Sequence, residues 1–250
     1  MSKVYHTGHA INVANFQKLI AYLIGIGAIY DPVNARIFIP ALNVMLVLAN
    51  GKLQLVKDAS SAFDIATNNR EVEFKNIKKL ATRLVNALIA CGASKQTIAD
   101  AKTINRKIQG GRHGDLIVAP VPTTDVPLDA AATLAKNISV SQQNFDFVLD
   151  NMLKMLTLLQ NEPLYIPNEV DLQTASILIK ITGMQTANKA VIDATPTYIN
   201  AMAGRDVVLY KEDLGLVDTA KVVKSYCLSV LETANPVYIK INNLHFKNFK

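Results

Sequence analysis

Apolar residues recur every three or four positions over most of this chain, and that spacing predicts helices. From Ser141 to Leu159, the side chains of Phe145, Val148, Leu149, Met152, Leu156 and Leu159 fall on one stripe. Further on, Ile181, Met184, Val191, Tyr198, Met202 and Leu209 form a heptad-like seam, interrupted by the polar residues Asn188 and Thr195. Two long helices are expected to begin near Pro40 and near Pro167, since proline suits the first helical turn, and Glu169 and Asp171 suit the dipole there. Pro196 is expected to kink the second of them. Shorter helices, Lys78 to Ala90 and Asp218 to Glu232, are expected to return along the long ones. Helical tails then start at Ser94 and at Asn235 with Pro236, residues suited to capping. "RIFI" and "DLIVAPV" are β-like in composition, but both lie against prolines and read as extended linker.

The pattern breaks near the middle. Between Gln109 and Ala132 glycine and proline concentrate, and Pro120, Pro122 and Pro127 oppose a helix. On either side the sequence resembles itself. At an offset of 135, Tyr30 and Pro32 fall on Tyr165 and Pro167, "VKDA" (Val56 to Ala59) on "VIDA" (Val191 to Ala194), Phe63 on Tyr198, and "REV" (Arg70 to Val72) on "RDV" (Arg205 to Val207). The expected fold is therefore all-α: two tandem antiparallel bundles of three to four helices, related by internal duplication. Their expected bounds are 1–109 and 138–250, with a Gly/Pro-rich linker at 110–137.

"LIAYLIGIGAIY", Leu19 to Tyr30, carries no charge. If Asn15-Phe16 is laid on Asn144-Phe145, the polar Asp150, Asn151 and Lys154 of the second half meet Ala21, Tyr22 and Gly25, so this helix is apolar on nearly all sides. The run is shorter than the ~20 residues that cross a bilayer core. The preferred reading is a helix buried on one face in its own bundle and on the other by the second bundle or by another subunit, with Ile20, Ile24, Ile26 and Ile29 as the candidate contact residues. The alternative is a membrane-active or adhesin-like protein with a pore-forming hairpin over 19–49. Gly25 and Gly27 read as points of close helix packing.

Composition adds bounds. A chain of 250 residues, 50% hydrophobic and 18% charged, can bury a large core. Its net charge of +6 admits an anionic partner, but lysine and arginine are scattered among acids. "NRKIQGGRHG", with Arg106, Lys107, Arg112 and His113, is the one basic candidate, and nucleic-acid binding is the third functional reading. Cys91 and Cys227 lie in apolar surroundings and read as buried thiols. His6 and His9 are the only closely paired histidines, but without further ligands they read as no metal site. No nucleophile motif or phosphate loop is present, and no catalytic residue, cofactor or small-molecule ligand is expected. The polar positions that recur between the halves, Asp58 with Asp193 and Arg70 with Arg205, read as ion pairs or solvated helix faces. With no signal peptide or transmembrane helix recognised, the expected location is cytoplasmic.

The runs "KVYHTGHAINVANFQKLI", "TINRKIQGGR", "ISVSQQNFDF" and "YIPNEVDLQTA" together resemble a family of Bacteroidota proteins of about this length, built of two helical repeats and without an assigned activity. The resemblance covers the whole chain and implies no catalytic residues. Loose hemagglutinin-type labels within that family point weakly to adhesion. The expectation is thus a non-enzymatic structural or interaction protein, a homo-oligomer or the partner of another protein.

Overall fold

The structure, a computed structural model, describes residues 7–110 and 130–249, with the backbone alone for 130–144. It is all-helical, with no β-strand among the described residues. The helices are α1 (Thr7–Ile26), α2 (Ile39–Phe74), α3 (Ile77–Ala90), α4 (Lys95–Gln109), α5 (Ala130–Gln160), α6 (Thr174–Tyr210), α7 (Leu216–Val230) and α8 (Pro236–Asn242). Local sequence sets several of their ends. Ser94 Oγ accepts the Thr97 amide at 3.1 Å to open α4, and Asn235 Oδ1 accepts the Val237 amide at 2.8 Å to open α8. Gly110, at φ 82°, closes α4 in the left-handed conformation that glycine adopts without a Cβ clash.

Three boundaries differ from expectation. α5 begins at Ala130, inside the expected linker, because Ala130 to Ala132 favour helix once Pro127 is passed. The rest of that linker, "DLIVAPV" included, lies outside the described residues. Pro40 does sit in the first turn of α2, but Pro167 precedes α6 by seven residues. It belongs instead to the turn before the helix, as Pro32 does before α2. "RIFI" contributes to a short 3-10 turn, Ala35–Ile37, rather than to an extended segment. α6 runs through Pro196 as one element. The glycines Gly25 and Gly27 mark no close packing, since a Cβ at either would meet nothing within 4 Å. Gly27 serves the backbone, which leaves α1 at φ 64°.

The turns before α2 and α6 share one construction. The Tyr30 hydroxyl donates to the Ile37 carbonyl at 2.7 Å, and the Tyr165 hydroxyl donates to the Leu172 carbonyl at 2.8 Å. Each phenol is buried and closes a short 3-10 turn ending at its acceptor. Replacing either tyrosine by phenylalanine should lower unfolding free energy by about 1–3 kcal/mol, because a buried carbonyl loses its donor. Urea unfolding of each variant measures this.

The chain forms two compact units, the first drawn from both ends of the sequence and the second from its continuous middle. The first comprises 1–64 and 194–250, and the second comprises 65–193. The divisions fall inside α2 and inside α6, so the units do not coincide with the halves 1–109 and 138–250. In the first unit, Phe16, Leu19 and Leu23 of α1 share a core with Leu216, Ala220 and Val223 of α7 and Ile241 of α8. In the second, Met152, Met155 and Leu159 of α5 share a core with Leu84 and Leu88 of α3 and Ile108 of α4. The first helix of each sequence half thus packs on the short helices of the other half. Burial positions on α1 and α5 coincide at an offset of 139: His9 with Val148, Asn12 with Asn151, Val13 with Met152, Phe16 with Met155 and Ile20 with Leu159. The Asn-Phe match, at an offset of 129, also lays like positions together: the buried Leu19 and Leu23 fall on the buried Val148 and Met152, and the exposed Ala21 and Gly25 on the exposed Asp150 and Lys154.

Candidate functional site

The long helices carry the recurring polar positions. In α2, Leu42, Ala49, Val56, Ala59, Ala66 and Arg70 are buried, a three-and-four spacing of the kind that seats one helix along another. α6 repeats it with Ile177, Met184, Ala187, Val191 and Arg205. In the first unit, the Phe63 ring stacks on Tyr198, with centroids 5.8 Å apart. In the second, Lys180 Nζ reaches Glu73 at 2.8 Å.

Arg70 and Arg205 are therefore not solvated helix faces; each is only 4% exposed. Both lie near the C-terminal ends of their helices, where the dipole favours a cation. The Arg70 guanidinium lies 4.1 Å from the centroid of the Phe145 ring and donates to Asn188 Oδ1 at 3.4 Å. Asn188 in turn donates to Asp146. Desolvation lowers the Arg70 pKa, against the pull of Asp146 and Glu71 in the other direction. Arg205 pairs with Asp206 at 2.7 Å. These groups hold fixed cations inside the helical seam, an arrangement that orders side chains rather than moves protons. Asp58 and Asp193 do face solvent and accept from Gln54 and Lys189, each four residues earlier on its own helix.

The four isoleucines are not equivalent. Ile20 is a core residue of the first unit, so no partner can reach it; Ile26 packs partly against the same core; Ile24 and Ile29 are exposed. The larger apolar surface is one that sequence reading did not single out. Along the outer side of α2, Val44 is 69% exposed, Val47 72%, Leu48 49% and Leu55 53%. Val44 and Leu48 of this ridge also form one wall of an apolar furrow that Ala41, Met45, Val207, Val208, Lys211 and Leu214 complete. Among the described residues, one helical stretch is long and apolar enough to cross a membrane. It lies within Ile39–Ala90, where an 18-residue window has mean hydropathy 1.4 and is 17% buried. The signal for this surface was in the sequence: apolar residues at 44, 47, 48 and 55 occupy a second stripe, distinct from that of 42, 49 and 56.

The other candidate chemistry has structural partners. His9 Nδ1 lies 2.7 Å from the Tyr210 hydroxyl, and Asn12 Nδ2 donates to the Lys247 carbonyl at 2.7 Å, so the buried side of α1 ties down the C-terminal segment. His6, Arg112 and His113 lie outside the described residues. Among the described residues no group of three or more His, Cys, Asp or Glu side chains could hold a metal ion. Both cysteines are free thiols, Cys227 buried and Cys91 half-buried.

Burial pushes the Cys227 thiol up to about 11 and the Tyr165 phenol up to about 12, and it is also the largest cause raising Tyr30 and Tyr210. The fold thus favours the neutral forms. That stability is fully present below the ordinary values, 9.0 for the thiol and 10.0 for the phenols, and is lost as pH rises toward the shifted ones. The urea midpoint should hold steady up to about pH 8.5 and fall steeply by about pH 11. A flat profile would mean that these groups titrate alike in the folded and unfolded chain.

No known protein family, curated protein or solved structure matches the chain.

Proposed function

We propose that this protein is a non-enzymatic interaction module that self-associates, a second copy packing on the outer side of α2 in the first unit. The observation that carries this reading is the α2 ridge, four large apolar side chains about half or more exposed on adjoining turns. Ridge and furrow lie on the same surface, so the ridge of one copy suits the furrow of another across a twofold axis, the commonest symmetry of soluble oligomers. Contiguous apolar surface of this kind marks an interaction site. The inner stripe of the same helix is already committed to a core through Leu42 and Ala49.

The two sequence halves are copies of one helical unit in this reading. What supports it is the paired tyrosine turns, the starts of α2 and α6 at an offset of 135, and the matching buried positions on α1 and α5.

Sedimentation velocity over a range of concentrations tests the proposal. A mass rising from one chain to two supports it, and one chain at every concentration overturns it. The hydropathy of the α2 window favours a second reading, docking on a lipid surface. Asn43, Asn50, Lys52 and Gln54 punctuate that window and weigh against it. Flotation with neutral lipid vesicles, with the protein remaining in the pellet, is the result expected of the self-association reading.

A further inference from the structure

A concavity of about 490 Å³ in the second unit lies among the turn from α2 to α3, the end of α4 and residues 145–148 of α5. Among the described residues, Lys78, Lys79 and Lys107 line it, and no acid does. Lys78 has a structural task, donating to the Gln109 carbonyl at 3.1 Å. The side chains of Lys79 and Lys107 have no ion pair or hydrogen bond among the described residues. Two of these cations stand in the first turn of α3, which has no acid of its own and no side-chain cap. Positive charge there opposes the helix dipole, so the local arrangement is electrostatically unfavourable until an anion joins it.

The rest of the lining is apolar and aromatic. Phe145 is fixed from two directions, by the edge of Phe74 with centroids 4.8 Å apart and by the Arg70 guanidinium. Phe147 is 47% exposed and presents open ring surface. Cations beside an aromatic wall suit a ligand with an anionic head and a flat apolar body. The volume falls within the range of roughly 300–1,000 Å³ usual for small-ligand sites.

We propose that this concavity binds a small planar organic phosphate, its phosphate held by Lys79 and Lys107 and its ring lying against Phe147. The site is independent of the α2 surface in the first unit, so failure of either proposal leaves the other standing.

Isothermal titration at low ionic strength with adenosine 5′-monophosphate, inorganic phosphate and adenosine tests it. The nucleotide should bind at least about tenfold more tightly than either fragment, because head and ring are engaged together. Lys79→Glu with Lys107→Glu should weaken it at least about tenfold without changing the melting temperature, since both side chains are exposed. Phe147→Ala should weaken the nucleotide and leave inorganic phosphate unaffected. No binding of the nucleotide, equal binding by the double variant, or phosphate binding as tightly as the nucleotide would each overturn the proposal.

Discussion

Replacing Val47 and Leu48 together by glutamate should leave a single folded chain at concentrations where the unaltered protein pairs. Both side chains stand on the outer side of α2 and contribute nothing to either core. Glutamate is a good helix former, so the helix itself should persist and the melting temperature should move by no more than a few degrees. An unpaired carboxylate at the centre of an apolar contact loses its hydration without compensation, which is costly enough to separate the copies. Two comparison variants assign the effect to α2. Ile24→Glu, on the exposed side of α1, should leave the mass unchanged. Ile20→Glu should unfold the first unit, because that side chain sits in its core beside Phe16 and Leu19. Dissociation by Ile24→Glu but not by the α2 pair would move the interface to α1.

How much of this was legible in the sequence depends on the range of the signal. The caps at Ser94 and Asn235 were legible, because a cap is decided within three residues. The seam of α6 was legible in its apolar members, and its heptad spacing also predicts Arg205, three residues after Met202 and four before Leu209. Its charge suggested an ion pair or a solvated face, and the structure buries it in a pair with Asp206. Arg70 is concealed in the same way, its guanidinium covered by the ring of Phe145, which is 75 residues distant and has no local signature.

The packing partners were not legible. A three-and-four stripe says that one face of a helix must be covered, but not by which element. It also survives a slide of ten residues, a heptad plus three, so α1 and α5 agree in burial at both offsets, 129 and 139. The α2 ridge was passed over for a related reason. Val44, Val47, Leu48 and Leu55 sit within a run that already had a buried stripe, and only burial separates the two sets. The uncharged run at Leu19 to Tyr30 drew attention instead, although Leu19, Ile20, Leu23 and Tyr30 of that run lie inside the first unit's core.

The central structural claim is that each compact unit is closed by segments from both sides of residues 111–129. The core of the first unit takes Phe16 and Leu23 from one end and Leu216 and Val223 from the other. The second takes Leu84 and Leu88 from before residue 110 and Met152 and Met155 from after residue 130. Neither piece of the chain can fill a core by itself, and large exposed core side chains cost about 1.5–3 kcal/mol each. An engineered protease site within 111–129, placed in the Val47→Glu, Leu48→Glu background so that pairing between copies does not intervene, makes the cut between the contributing segments. After cleavage the two pieces should co-elute as one particle with the mass of a single intact chain, and should separate only on denaturation. Two folded pieces eluting apart, each with its own melting transition, would contradict the account and return the fold to two consecutive bundles.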